Sequence, residues 1–447
     1  MLPVQPDEAF NAKARALRPF YFIVVVWGER YTDFLLNFCI PALLSPGNIP
    51  ALHNRAKNKF LIATTDEDWA RMQDRPIFRM LRDYVEAVFI RIPPCPDGVS
   101  GCVHMGIGHK LATQIAFEAR AYSVLLTPDL MVSDGTMSQV QRHAVNGVQV
   151  VLTAALRFGE EPLFKHLDEL GICNINSRFG DEARALIASG RQLVKAGIQS
   201  FHSETARYEW QAPYFSMFPV ACWWRVPDEE GIVVHCLSWA PLLVDYAAVD
   251  QHDSSVMDHW TIDGDYVYRN FGMKGNVHVE QDSDNIMLVS WAPLADREQP
   301  LHPRRAQTIP LIGNYLKGAV LYETFNNAVF DPLKRNIFFL PVRWHARDIT
   351  PVWSKVEKRA SASLRRHLAL SSATKVRIFN RVRAAFVKAV VMTVRLGWYA
   401  DYYWHEKGRV LGIAGSALKG DPAARQRIKR AVRHVQSQLL GRPIPRG

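Results

Sequence analysis

Residues 20–27 read FYFIVVVW, eight apolar or aromatic side chains without a charge among them. The run is too short to cross a bilayer, and it lacks the alternation of a strand with one face in water. It fits a strand buried on both faces, the usual setting of a parallel sheet covered by helices. Shorter apolar runs follow at residues 59–64, 85–92, 124–127 and 148–156. Between them lie segments with apolar residues at helical spacing. Residues 33–44 end at the strong stop Ser45-Pro46-Gly47-Asn48, with a kink or an earlier end expected at Pro41. Thr65 reads as the N-cap of a helix with Asp66, Glu67 and Asp68 in its first turn. Further helices are expected over 109–121 and 137–146. This alternation predicts an α/β fold built on a mostly parallel, doubly wound sheet.

The second half is expected to be richer in strands, at 218–225, 231–239, 277–291 and 335–344, with helices at 160–170, 181–196 and 314–328. Gly197 is a plausible stop for the 181–196 helix. A pentapeptide recurs, Ser238-Trp239-Ala240-Pro241-Leu242 and Ser290-Trp291-Ala292-Pro293-Leu294, which fits two related strand ends. It is too short to establish a repeat.

Charge divides the 447-residue chain unevenly. The net charge is +11, yet residues 351–447 carry 21 Lys/Arg against four acids, so the first 350 residues are slightly acidic. From residue 375 onward the chain reads as basic helix. Arg377, Arg381, Lys388 and Arg395 share one face, and Phe379, Val382, Phe386, Val390 and Val394 line the other. Trp398, Tyr399, Tyr402, Tyr403 and Trp404 follow, then a second basic helix over 421–440. Such a region suits an anionic membrane surface, or else packs on the main domain with its charges solvated. No nucleic-acid-binding motif accompanies it, so basicity alone makes nucleic acid an unlikely partner. The organisation expected is an N-terminal extension (1–19), a main domain (20–350) with halves at 20–156 and 157–350, and the basic region (351–447). Six scattered cysteines without a CxxC pair suggest buried thiols in a reducing compartment, and a cytoplasmic protein is expected.

The stretch Tyr122–Gly135, YSVLLTPDLMVSDG, carries the sharpest chemical signal. Its strand stops at Thr127-Pro128-Asp129, which puts a carboxylate at the carboxyl end of a central strand, where open α/β sheets bind ligands. Asp134 follows in a second acidic turn. Carboxylates there suit Mg²⁺ or Mn²⁺ and diphosphate, although both are also ordinary turn residues. Trp27-Gly28-Glu29-Arg30 leaves the first strand. Cys102–Lys110 contains Gly106 and Gly108, expected to free amides at a helix start, with His109 and Lys110 adding positive charge. The glycines lack dinucleotide spacing, and Cys95, Cys102, His104 and His109 fit no standard zinc pattern. Asp258, Asp263 and Asp265 crowd into MDHWTIDGDY, offering candidates for a general base or plain turn chemistry. Asp282-Ser283-Asp284 is a second acidic pair, and His235 on an apolar strand reads as a core residue.

Three segments, 24–52, 124–135 and 235–245 with 261–267, give the chain a resemblance to the GT-A glycosyltransferases, and more narrowly to bacterial glycosyltransferase-like proteins, over residues 20–345. The resemblance implies a nucleotide-sugar donor, a carbohydrate or lipid-linked acceptor, and a DxD signature holding Mn²⁺ or Mg²⁺ on the diphosphate. Asp129, with Asp134, would hold the metal. Gly28, Glu29, Asp33, His109 and Lys110 would contact the nucleotide, and Asp263 or Asp265, with Asp258 behind them, would serve as base. Thr127 stands where the first Asp of DxD is expected, so only the second carboxylate position is kept. A catalytically silent binding protein on the same fold is the alternative, as is a binder of anionic polymers acting through the basic tail. The scattered cysteines and the basic tail together give the expectation of a cytoplasmic protein, peripheral at the inner membrane face.

Overall fold

The computed structural model describes residues 8–173, 183–298 and 310–368, with isolated positions 301, 303 and 307 and parts of 385–397. The aromatic cluster at 398–404, the helix expected at 421–440 and most of the charged face from 375 onward lie outside the described residues. Contacts divide the chain into two compact units. One comprises Met1–Gln211, Val220–Leu301 and Asp331–Ser361; the other comprises Ala212–Pro219, His302–Phe330 and Ala362–Gly447. The site described below belongs wholly to the first.

That unit is organised by a seven-stranded sheet. Strands β1 (Phe20–Val25), β2 (Lys59–Thr64), β3 (Glu86–Arg91) and β4 (Tyr122–Leu125) are mutually parallel, with β1 flanked by β2 and β4. All six residues of β1 are buried, as its unbroken apolar run requires. From β1 the chain winds outward through β2 to β3, then returns to place β4 on the other side of β1. The winding direction therefore reverses between β1 and β4.

Two short strands, β5 (Leu130–Val132) and β7 (Arg157–Gly159), join β12 (Leu288–Ala292) in a separate three-stranded sheet. β6 (Val150–Ala154) returns to the main sheet. β8 (Ala221–Arg225) and β9 (Gly231–Cys236) form an antiparallel sheet with β13 (Val342–His345). β10 (Trp239–Asp245) inserts antiparallel between β4 and β6, and β11 (Val277–Val279) closes the edge parallel to β6. The sheet is thus mostly parallel with one reversed strand.

Several expectations from the second half need correction. The run at 231–239 ends at Cys236, and the next strand starts separately at Trp239. The run at 277–291 breaks into β11 and β12 around the turn at Asp282–Asn285. Residues 335–337 finish a short helix, Pro332–Ile337, capped by the Asp331 side chain, before β13 begins. Gly197 lies inside the Gly190–Ile198 helix, where a Cβ would press on the Phe158 ring at 2.7 Å. The recurring pentapeptide starts β10 but finishes β12, so the two copies do not occupy equivalent strand ends.

Two helices frame the site. The segment after β1 is helical from Glu29 to Leu43, with a π-helical stretch at Leu35–Cys39 just ahead of Pro41. Proline has no N–H to continue an α-helical ladder, and a π-turn is a recognised way for a helix to absorb such a break. The helix after β3 spans Gly101–Glu118, beginning eight residues before the expected start. Gly106 and Gly108 are consequently interior, and their amides are not free for phosphate. Their use is close approach. A Cβ on Gly106 would collide with the Met257 carbonyl oxygen, and one on Gly108 would lie 2.6 Å from Val25 Cγ1 and 2.8 Å from Ala63 Cβ.

Candidate functional site

A cleft of about 660 Å³ opens at the carboxyl ends of the three adjacent parallel strands. Trp27 and Gly28 come from the end of β1, Asp66 and Asp68 from the end of β2, and Arg91 and Pro93 from the end of β3. The volume falls in the range of small-molecule sites, about 300–1,000 Å³. Its position beside the β1/β4 reversal is where open α/β sheets gather ligands.

The cleft's shape depends on a buried carboxylate. Asp68 is 5% exposed, and its Oδ2 accepts hydrogen bonds from the Gly28 amide at 2.9 Å and the Thr65 hydroxyl at 2.8 Å. Gly28 sits at φ +78°, a conformation that favours glycine. Thr65 caps the Asp66–Gln73 helix through its side chain, as expected, and the Thr32 hydroxyl donates to the Gly28 carbonyl at 2.8 Å. Sequence reasoning had found the Trp27 turn and the Thr65 cap separately. Their joining through Asp68 is set by tertiary structure. Trp27 packs edge-on against His104 with ring centroids 4.8 Å apart, leaving part of the indole exposed to the cleft.

Asp129 follows β4 and is partly exposed. Burial raises its pKa, while the nearby Thr127 and Ser290 hydroxyls and the Arg157 guanidinium favour its charged form. Tyr31, raised first by burial, also feels the Asp129 charge. The Thr127 hydroxyl oxygen is itself buried and lies outside hydrogen-bonding geometry to any protein partner. Thr127, Ser290 and Asp129 thus gather oxygen functions at the end of β4. Tyr31, Arg157 and Ser290 had no signal in the sequence, because three different elements bring them to this point.

The remaining predicted residues fall in varied settings. Asp134 accepts a hydrogen bond from the Gly47 amide at 2.7 Å, pinning the turn that follows the Glu29–Leu43 helix. Glu29 is exposed, and Asp33 is half-buried one turn further along the same helix. His109 is buried, with Nδ1 3.2 Å from the Thr261 hydroxyl, and burial pushes its pKa down to about 4. It is neutral at physiological pH, which corrects the expectation of a positive charge there. Lys110 and Asp258 pair with each other, and the lysine holds the Asp258 carboxyl below its usual range.

Asp263 and Asp265 converge on a buried lysine that the sequence did not flag. Lys334 Nζ lies 2.8 Å from Asp265, 3.9 Å from Asp263 and 3.8 Å from Asp331. Burial, reinforced by Asp265, raises Asp331 to about 6, and burial raises Asp263. A carboxyl poised near neutrality beside a second carboxylate suits proton transfer. The literal Asp282-Ser283-Asp284 motif is otherwise engaged: Asp282 bonds His345 Nε2 at 2.8 Å, and Asp284 holds Arg191 with both oxygens. His235, with Nδ1 3.0 Å from the Phe338 carbonyl, is a buried core residue.

Whether the Asp129 site fits a divalent metal follows from its donors. Asp129 contributes a single carboxylate, Thr127 a neutral hydroxyl, and Asp134 has an oxygen committed to Gly47. Mg²⁺ is commonly held by one or two carboxylates together with substrate phosphates. The residues fit a cation that arrives with a diphosphate better than one resident in the free protein.

No protein-family model matches the sequence, and no curated protein does. Among solved structures, one match is a protein described as a glucose-1-phosphate thymidylyltransferase from Bacillus anthracis in complex with a sucrose. It is 10% identical, with a TM-score of 0.20, over 32% of this chain and 57% of that structure's length. Among the described residues, no helix is long and apolar enough to cross a membrane.

Proposed function

We propose that the chain is a glycosyltransferase of GT-A type, taking a nucleotide-sugar donor and passing the sugar to a carbohydrate or lipid-linked acceptor. The observation that carries this reading is the cleft at the carboxyl ends of β1–β3, on the same sheet edge as Asp129, which follows the adjoining β4. In this reading the nucleoside base lies against Trp27, and the donor diphosphate runs towards Asp129 and Arg157. The main electrostatic task in sugar transfer is to stabilise the leaving diphosphate. Arg157 supplies fixed positive charge, and a divalent cation carried by the phosphates supplies more when bound, with Asp129 as its protein oxygen. Asp263 or Asp265 would deprotonate the acceptor hydroxyl, with Asp331 and Lys334 setting their charge.

Isothermal titration with UDP, GDP and CMP, with and without Mn²⁺, tests the reading, followed by donor hydrolysis. Binding of one nucleotide, weakened by Trp27→Ala, and turnover lost in Asp129→Ala are expected. Absence of nucleotide binding, together with an unaltered Asp129→Ala protein, would sink it. Thr127 in place of a carboxylate favours a second reading, a silent nucleotide- or carbohydrate-binding protein, which predicts binding without turnover. Cytoplasmic placement at an anionic membrane face through residues 351–447 belongs to the same proposal. Its check is co-sedimentation with phosphatidylserine vesicles, lost at high salt.

A further inference from the structure

At the sheet edge away from the cleft, three side chains from two elements converge. His143 stands in the last turn of the Thr136–Val145 helix, His278 is in the middle of β11, and Glu280 directly follows β11. Their ligand atoms all lie within 4.8 Å of one another. The two imidazole rings are 4.1 Å apart, tilted by 33°. Each Nε2 is 3.5 Å from Glu280 Oε2.

The three atoms have no other use. His143 Nε2, His278 Nε2 and Glu280 Oε2 are each buried without a hydrogen-bond partner. Glu280 is 5% exposed and His143 9% exposed, so water does not readily substitute. The other carboxylate oxygen is fully engaged: Glu280 Oε1 accepts from the amides of Gln281 at 3.0 Å and Asp282 at 3.1 Å, and from Asn285 Nδ2 at 3.2 Å. A buried carboxylate thus presents one bare oxygen to two bare imidazole nitrogens, an arrangement native proteins rarely leave unfilled.

The spacing identifies what would fill it. A separation of 3.5 Å is poor for a hydrogen bond. Ligand atoms about 2.0–2.1 Å from a tetrahedral metal stand about 3.3 Å apart, close to the separation seen here. We infer that His143, His278 and Glu280 bind a divalent transition metal of the Zn²⁺ type. Two imidazoles and a carboxylate suit that class, whereas Mg²⁺ and Ca²⁺ prefer all-oxygen sets. Asn285 and the backbone amides on Oε1 orient the carboxylate, the usual task of groups behind a ligand. Three protein ligands leave a fourth position for water, and the His278 side chain is 36% exposed, giving a route in. The ion would clamp the Thr136–Val145 helix to the edge strand β11.

The site is independent of the proposed donor site, and the experiment keeps the two apart. The full-length protein, stripped with a chelator, is titrated with Co²⁺ and then Zn²⁺. One equivalent of Co²⁺ should give the intense visible bands of a four-coordinate ion and be displaced by Zn²⁺. Glu280→Gln and His278→Ala, the latter at a partly exposed position, should each weaken Zn²⁺ binding at least about 100-fold. Asp129→Ala should bind as the wild type does. Failure of the wild type to take up one equivalent overturns the proposal. So does binding unchanged in both ligand variants, or binding lost in Asp129→Ala. Should a variant fail to fold, the wild-type cobalt spectrum still decides.

Discussion

Asp68 shows how one side chain that lines a cleft can also hold the cleft's geometry. Its Oδ2 serves the Gly28 amide and the Thr65 hydroxyl, so it couples the ends of β1 and β2. Replacing it with alanine strands both donors in a buried setting. We expect Asp68→Ala to lose about 2 kcal/mol of stability in urea denaturation, since hydrogen bonds to charged groups contribute roughly 1.5–3 kcal/mol. Asp331 makes the opposite kind of case, because its environment opposes its charge. Burial and the neighbouring Asp265 raise it from 3.8 to about 6, against the Lys334 ammonium and amide, which favour its charge. Below pH 4 it is protonated in both folded and unfolded chains. Between pH 4 and 6 the folded chain holds a proton that the unfolded chain has released, so stability falls as pH rises through that window. Asparagine keeps the cap on Lys334 but cannot ionise. The fall between pH 4 and 7 should therefore be smaller in Asp331→Asn, by on the order of 2 kcal/mol, when urea midpoints are compared across pH. A fall equal to that of the wild type would rule out the raised carboxyl.

Among the elements, the Gly101–Glu118 helix best separates what pattern reveals from what it conceals. Gly106 and Gly108 looked like a phosphate-binding start, because glycine beside histidine and lysine has that composition. In the structure they are the points where the helix meets other chain segments, Gly106 against the Met257 carbonyl and Gly108 against β1 and β2. Composition is the same for both uses, and only the partner surface distinguishes them. Gly106→Ala tests this. Intrinsic helix preference favours alanine by about 1 kcal/mol in a helix interior. The collision with backbone should reverse the sign and cost roughly 1–3 kcal/mol, read as a lower urea midpoint. A midpoint above the wild type would mean the helix has room there. The strands show a related limit. β1, β2, β4 and β6 were legible because they are buried almost throughout and nearly all apolar, and the edge strand β3, half-buried, by its apolar run Ala87–Ile90. β5 and β7 have three residues each, too few to show a period, and β10 was concealed by its closeness to β9.

For the whole first unit, the direction of the parallel strands turns scattered residues into one candidate site. Parallel β1, β2, β3 and β4 all deliver their following turns to the same edge of the sheet. Trp27, Asp66, Arg91 and Asp129 thus stand on one sheet edge although they span about a hundred residues of sequence. The order of strands and helices made this edge predictable. The Arg157 contribution was not, because β7 belongs to a second sheet whose pairing with β12 is long-range. The antiparallel sheet of β8, β9 and β13 has no strand in that parallel set. This division makes a prediction about amide exchange. Saturation with the nucleoside diphosphate that binds should slow exchange at residues 26–30, 65–68, Ile92 and Cys95, in the turns leaving β1, β2 and β3. It should leave the β8–β9–β13 sheet at its free rate. Protection confined to that sheet, or spread evenly over the molecule, would place the ligand elsewhere and end the assignment of the cleft. Protection of the three turns without Asp129 would retain the nucleotide pocket while removing the diphosphate from the end of β4.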